Sequence, residues 1–187
     1  MHDLTPLTAL GKAKPQVDTV GSMRLGEMSG LALASVAVRR GHEVACRAHL
    51  ADLLEADPPG PGQACLHDPE AAFWMGPTQW MVGAPFETHE DLAAQLKTRF
   101  GQSASITEQT DAWAAFDLSG DALERVMELL CSIDMRQMKS GDAQRTNIHH
   151  LGCFVIRRDP ASWVRILGPR ASAGSLHHAI LTAMKAI

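Results

Sequence analysis

Apolar positions recur along the chain at two spacings, near two residues and near 3.6. Residues 31–40 (LALASVAVRR) alternate loosely and carry β-branched side chains, which predicts a strand that Gly41 ends. Residues 42–56 (HEVACRAHLADLLEA) are rich in Ala and Leu with interspersed acids, a helical pattern. DPPGPG at 57–62 stops it. Residues 73–85 (FWMGPTQWMVGAP) place large apolar groups on both sides of Gly76-Pro77, predicting two strands and a short turn. A helix is expected over 88–101, capped by Thr88, with Glu90 and Asp91 in its first turn. Leu92, Leu96 and Phe100 form its stripe, and Gly101 ends it. SASITEQT then reads as a strand.

The pattern begins again at residue 111. DAWAAFDLS alternates, with Ala114, Phe116 and Leu118 on one face. Residues 120–134 form the clearest helical pattern, with Leu123, Val126, Met127, Leu130 and Ile133 inward and a capping box from Asp121 to Glu124. A hairpin turning at Arg158-Asp159-Pro160 follows. A last helix carries Leu176, Ile180, Ala183 and Ile187 on one side. Pro, Trp, an apolar strand, a Gly and Pro loop and a helix occur in GPTQWMVGAPFETHEDLAAQL and again in DPASWVRILGPRASAGSLHHAIL. The expected fold is α+β, two split-βαβ (ferredoxin-like) units. The expected domains are an N-terminal arm at 1–28, a first βαββαβ unit at 29–110 and a second βαββα unit at 111–187. The arm reads first as a partly disordered terminus; the alternative is one helical turn docked on a partner, since Leu4, Leu7 and Leu10 are three apart.

Composition narrows the function classes. The 187 residues are 45 % hydrophobic and carry a net charge of −4. No basic stripe marks a nucleic-acid surface; Arg39-Arg40 and Arg157-Arg158 are only doublets. No signal-peptide pattern or membrane-length apolar run occurs, so a cytoplasmic protein without membrane attachment is expected. Cys46, Cys65, Cys131 and Cys153 are dispersed, which predicts reduced, buried thiols.

The chemistry-bearing residues are sparse. His149-His150 and His177-His178 are adjacent pairs, and adjacent residues diverge on a strand or a helix. Neither pair chelates alone; one side chain from each would have to meet in space, and no metal is expected. GSMRLGEMSG is not a dinucleotide or phosphate loop, so no cofactor-binding residue is assigned. No nucleophile motif occurs, and no catalytic residue is assigned. Asp111, Asp117 and Asp134 are acid/base candidates or simply caps. Arg145, Arg165 and Arg170 can face an acidic partner or solvent. Trp74, Met75, Trp80 and Met81 are expected in the core or a subunit interface, with a flat-ligand platform as the alternative. Strand alternation predicts that Trp74 and Trp80 divide by face. The partner-contact candidates are Trp74, Trp80, Arg145 and Arg170.

Four segments carry a family resemblance. WMGPTQWMV resembles the Gly-Pro hairpin of aminomethyltransferase-like folate proteins, and DAWAAFDLSGDALERVMELLCSIDM resembles their strand, Ser-Gly turn, helix and terminal Asp. GDAQRTNIHHLGCFVIR and WVRILGPRASAGSLHHAI continue the order. From about Arg24 onward, order and length are similar to the gamma subunits of heterotetrameric sarcosine oxidases. The resemblance implies a folate-module-like fold and a cytoplasmic complex with alpha, beta and delta subunits, alpha being the direct contact. Such a complex oxidises sarcosine to glycine, passes the one-carbon unit to tetrahydrofolate or releases formaldehyde, and reduces oxygen to peroxide. FAD, FMN, NAD, zinc and tetrahydrofolate are implied for the whole complex and none for this chain. The chain reads EQTDAW around Asp111 where active transferases have an Asp-x-Ser type segment, which weighs against folate transfer by the chain itself. Two alternatives stay open: a folate-dependent one-carbon transferase, or a stand-alone folate- or RNA-binding module.

Overall fold

The structure, a computed structural model, describes residues 6–67, 69–158 and 162–187, and the backbone of 159. Its elements in chain order are β1 (Val17–Val20), β2 (Met23–Met28), β3 (Leu31–Val38), α1 (Glu43–Leu54), β4 (Ala64–Cys65), β5 (Ala71–Gly76), β6 (Gln79–Pro85), α2 (Leu92–Phe100), β7 (Ala104–Glu108), β8 (Trp113–Ser119), α3 (Leu123–Leu130), β9 (Ala143–Ile148), β10 (Leu151–Asp159), β11 (Trp163–Pro169) and α4 (Ala173–Lys185). The fold is α+β, with two antiparallel sheets and four α-helices among the described residues. The chain divides into two compact units, residues 30–110 and a unit made of 6–29 with 111–187.

Residues 30–110 form the sheet β4-β5-β6-β3-β7. Counted along this unit, the strands β7, β3, β6 and β5 are the fourth, first, third and second of a βαββαβ chain, the split-βαβ arrangement. One sheet face meets the helices. Ala32, Ala34 and Val36 of β3 and Trp80, Val82 and Ala84 of β6 pack there with Cys46, Leu50 and Leu54 of α1 and Leu92, Leu96 and Phe100 of α2. The inward residues of α1 fall at helical spacing, and the helix ends where Glu55 turns left-handed (φ 49°). α2 starts after Asp91 without a side-chain cap. Thr88 is not that cap: residues 85–89 make a turn of their own, in which the Thr88 hydroxyl donates to the Pro85 carbonyl at 3.3 Å.

In the other unit the sheet order is β1-β2-β8-β11-β10-β9. Here β8, β10 and β11 are the first, second and third strands, and the fourth position is filled by β2. The N-terminal segment expected as an arm is therefore part of the sheet: Arg24 to Met28 pair with Ser119 to Ala115. Without it β8 would lie at an edge, although Phe116 and Leu118 on one face and Ala115 and Asp117 on the other are all buried. The alternative helical turn is absent among the described residues. Leu7 is exposed and Leu10 packs on the core from a loop; Leu4 lies outside the described residues.

α3 and α4 cover one face of this sheet, over Met23, Leu25, Phe116, Val155 and Ile166. α3 is shorter than its sequence pattern: Cys131 is already extended, and Ile133 reaches the core from the following loop. The Asp121–Glu124 capping box does not form. The residue at the cap is Ala122, and the chain enters the helix through Gly120 at φ +138°. An added Cβ at Gly120 would sit 2.5 Å from the Ser22 carbonyl oxygen.

Candidate functional site

The two histidine pairs fold in different ways. His149 and His150 are the whole loop between β9 and β10, since Ile148 pairs with Leu151. Both have positive φ, 47° and 67°. Two-residue hairpin loops with both φ positive favour Asn and Gly, so two imidazoles here are unusual. On α4, His177 turns toward the N-terminal strands and His178 turns away, as residues about 100° apart on a helix must. His177 Nε2 lies 2.8 Å from Asp18 Oδ2 and its ring centroid lies 5.9 Å from that of Phe116. Gln16 Nε2 donates to the same Asp18 oxygen at 2.7 Å. Burial pushes the Asp18 carboxyl up, but the hydrogen bonds from His177 and Gln16, with the charges of His177 and Lys12, hold it below the usual value of 3.8.

His178 faces a cleft of about 410 Å³ between the end of α3 (Leu129, Leu130) and the later turns of α4 (Ala179, Thr182), and His149 borders the same cleft. One member of each pair thus lines the same cleft. No Lys, Arg, Asp or Glu is among its lining residues. Across the described residues, no three His, Cys, Asp or Glu side chains form a metal-binding group.

The acid/base candidates are engaged elsewhere. Asp117 accepts from Arg165 Nε and Nη2 at 2.7 and 2.8 Å, a two-bond pair with both side chains only 11 % exposed. Its expected cap role does not hold, because Asp117 is inside β8, directly across from Arg165 of β11. Asp111 is exposed and lies 3.7 Å from Arg170. Asp134 accepts from Arg136 Nε at 2.9 Å, and this bond holds its carboxyl below the usual range.

Of the contact candidates, Trp80 is 2 % exposed, so it cannot touch a partner. Its indole N–H donates to the Pro59 carbonyl at 2.8 Å. The expected division of Trp74 and Trp80 by face fails for a register reason: they are direct cross-strand partners, so both side chains point to the helix side. They differ in burial, Trp74 being half-buried at the margin of that core. Arg145 is exposed, with its guanidinium 5.8 Å from the Phe154 ring. Arg170 is half-buried and donates to the Leu7 carbonyl at 3.1 Å. All four thiols are free. Burial pushes Cys46 and Cys153 up to about 11 and raises Cys131, so these three are protonated near neutrality and are poor nucleophiles.

Sequence reasoning missed Glu27, a buried carboxylate that accepts the backbone N–H of Leu10 at 2.8 Å and of Gln16 at 3.0 Å. The only signal was a charged residue in step with Met23 and Leu25.

No protein-family model and no curated protein matches the sequence. Among solved structures, a chain of the heterotetrameric sarcosine oxidase from Corynebacterium sp. U-96 is similar over 88 % of this chain and 86 % of that one, at 20 % identity and a TM-score of 0.74. The aminomethyltransferase T of the Bartonella henselae glycine cleavage system is similar over 83 % of this chain, at 15 % identity and a TM-score of 0.60. There the match spans only 44 % of the other chain. The fold is thus one that both of these proteins contain.

Proposed function

We propose that this chain is a non-catalytic subunit of a sarcosine-oxidising hetero-oligomer, the counterpart of its gamma subunit, docked on a larger alpha-type subunit. The observation that carries the reading is mutual coverage. The match to the sarcosine oxidase chain runs over most of both chains, whereas the match to the transferase leaves more than half of that protein uncovered.

The side chains agree with a structural role. Asp117 is neutralised by Arg165, and the buried Cys46 and Cys153 are protonated near neutrality. Among the described residues, no helix is long and apolar enough to cross a membrane. FAD, FMN, NAD, zinc and tetrahydrofolate would belong to the assembly. Its overall reaction, sarcosine with oxygen and water to glycine, formaldehyde and hydrogen peroxide, would run on the other subunits. Tetrahydrofolate would take the one-carbon unit when present. Trp74 and Arg145 remain the docking candidates, and Arg170 a weaker one because it is tied to Leu7. The setting would be cytoplasmic.

Sarcosine-dependent oxygen uptake tests the reading. The purified chain supplied with FAD, FMN and NAD should consume no oxygen above background. Turnover by the chain alone would overturn it and favour an enzyme in its own right.

A further inference from the structure

Sequence alone left His149-His150 and His177-His178 as two pairs that cannot chelate singly. The fold changes this by sending His149 and His178 to one cleft of about 410 Å³, from the β9–β10 turn and from α4. The backbone at the turn is an independent sign. His149 and His150 sit at φ 47° and 67°. That region is uncommon for residues bearing a Cβ. Asn-Gly is the commoner choice for such a turn, and unusual backbone of this kind collects where a side chain has a task.

The donor chemistry selects the ligand. The lining offers two imidazoles and the Thr182 hydroxyl among Leu and Ala, with no carboxylate and no cation. Hard cations such as magnesium and calcium take oxygen ligands, and imidazole suits zinc, copper and nickel. We propose that His149 and His178 form an open, two-imidazole site for a divalent d-block ion. Tetrahedral zinc held by two protein ligands keeps about two positions for water or another donor. Both histidines are exposed, so the ion has a direct path from solvent. The site is complete within this chain and needs no partner subunit.

Calorimetric titration of the full, tag-free chain with Ni²⁺ tests it. Nickel should bind at one equivalent per chain, and Mg²⁺ should not bind. His149→Asn removes the imidazole while suiting the left-handed turn, and His178→Gln preserves the helix. Melting curves check that both variants fold. Loss of outer-shell partners already weakens metal sites about 10–100-fold, so each variant should bind at least about tenfold more weakly. His150→Asn should bind as wild type. The proposal is overturned by absence of saturable binding, by binding that survives either cleft substitution, or by a loss in His150→Asn as large as that in His149→Asn.

Discussion

Trp80 is held by three neighbours at once. Its ring lies in the helix-side core, its N–H bonds the Pro59 carbonyl at 2.8 Å, and the Arg47 guanidinium lies 5.7 Å from the ring centroid. Removing such a side chain leaves a cavity and an unpaired carbonyl. Trp80→Ala should therefore cost about 3–5 kcal/mol, and the half-buried Trp74→Ala less than about 2 kcal/mol. Urea unfolding measures both; equal losses would contradict the placement. The sequence identified the two tryptophans as bulky strand residues, but alternation along one strand says nothing of the partner strand. Only the register, Trp74 opposite Trp80, put them on one face. The same holds for Asp117, whose partner Arg165 lies 48 positions away. Asp18 adds a pH dependence. Its folded carboxyl titrates below the usual value of 3.8, so the stabilisation it gives is full above that value and is lost as pH falls through the lower folded one. Asp18→Asn should thus be less stable than wild type near neutrality, with the gap closing in acid. A gap that stays constant down to about pH 2 would show that the His177 contact contributes nothing through charge.

β2 shows why an element can be hidden. Its inward positions are Met23, Leu25 and Glu27, and the acid at the third breaks the apolar alternation from which strands are read. The fold accommodates Glu27 because the N–H groups of Leu10 and Gln16 close on its carboxylate. Strands β3, β8 and β11 were legible because no charge interrupts the apolar positions of their inward faces. α3 was overextended because Ile133 keeps the helical spacing after the backbone has left the helix. Since β2 fills the fourth strand position beside β8, deleting residues 1–28 should abolish native packing in 111–187. Residues 30–110 have their own sheet and core and should remain folded. Amide exchange read by peptide measures this. Protection retained throughout 111–187, or lost in 30–110, would contradict the assignment.

At the scale of the whole chain, the repeat was visible because β6 with α2 and β11 with α4 each follow a hairpin and echo each other in sequence. The completion of the second unit by β2 was not visible, because it joins the two ends of the chain around residues 30–110. The cleft was half visible: both histidine pairs stood out, but the lining of one cleft by a member of each is a tertiary fact. The fold expected from the sequence is one that the sarcosine oxidase neighbour contains, at 20 % identity. The proposed role is that of a docked subunit. The direct measurement is native purification of the chain at its natural level, with mass spectrometry of what travels with it and an oxygen-uptake assay of the same fraction. The chain should elute in fixed one-to-one ratio with a larger flavin-bearing subunit, in a fraction that consumes oxygen only when sarcosine is added. A chain that elutes alone, from a lysate whose sarcosine-dependent activity elutes elsewhere, would rule that role out.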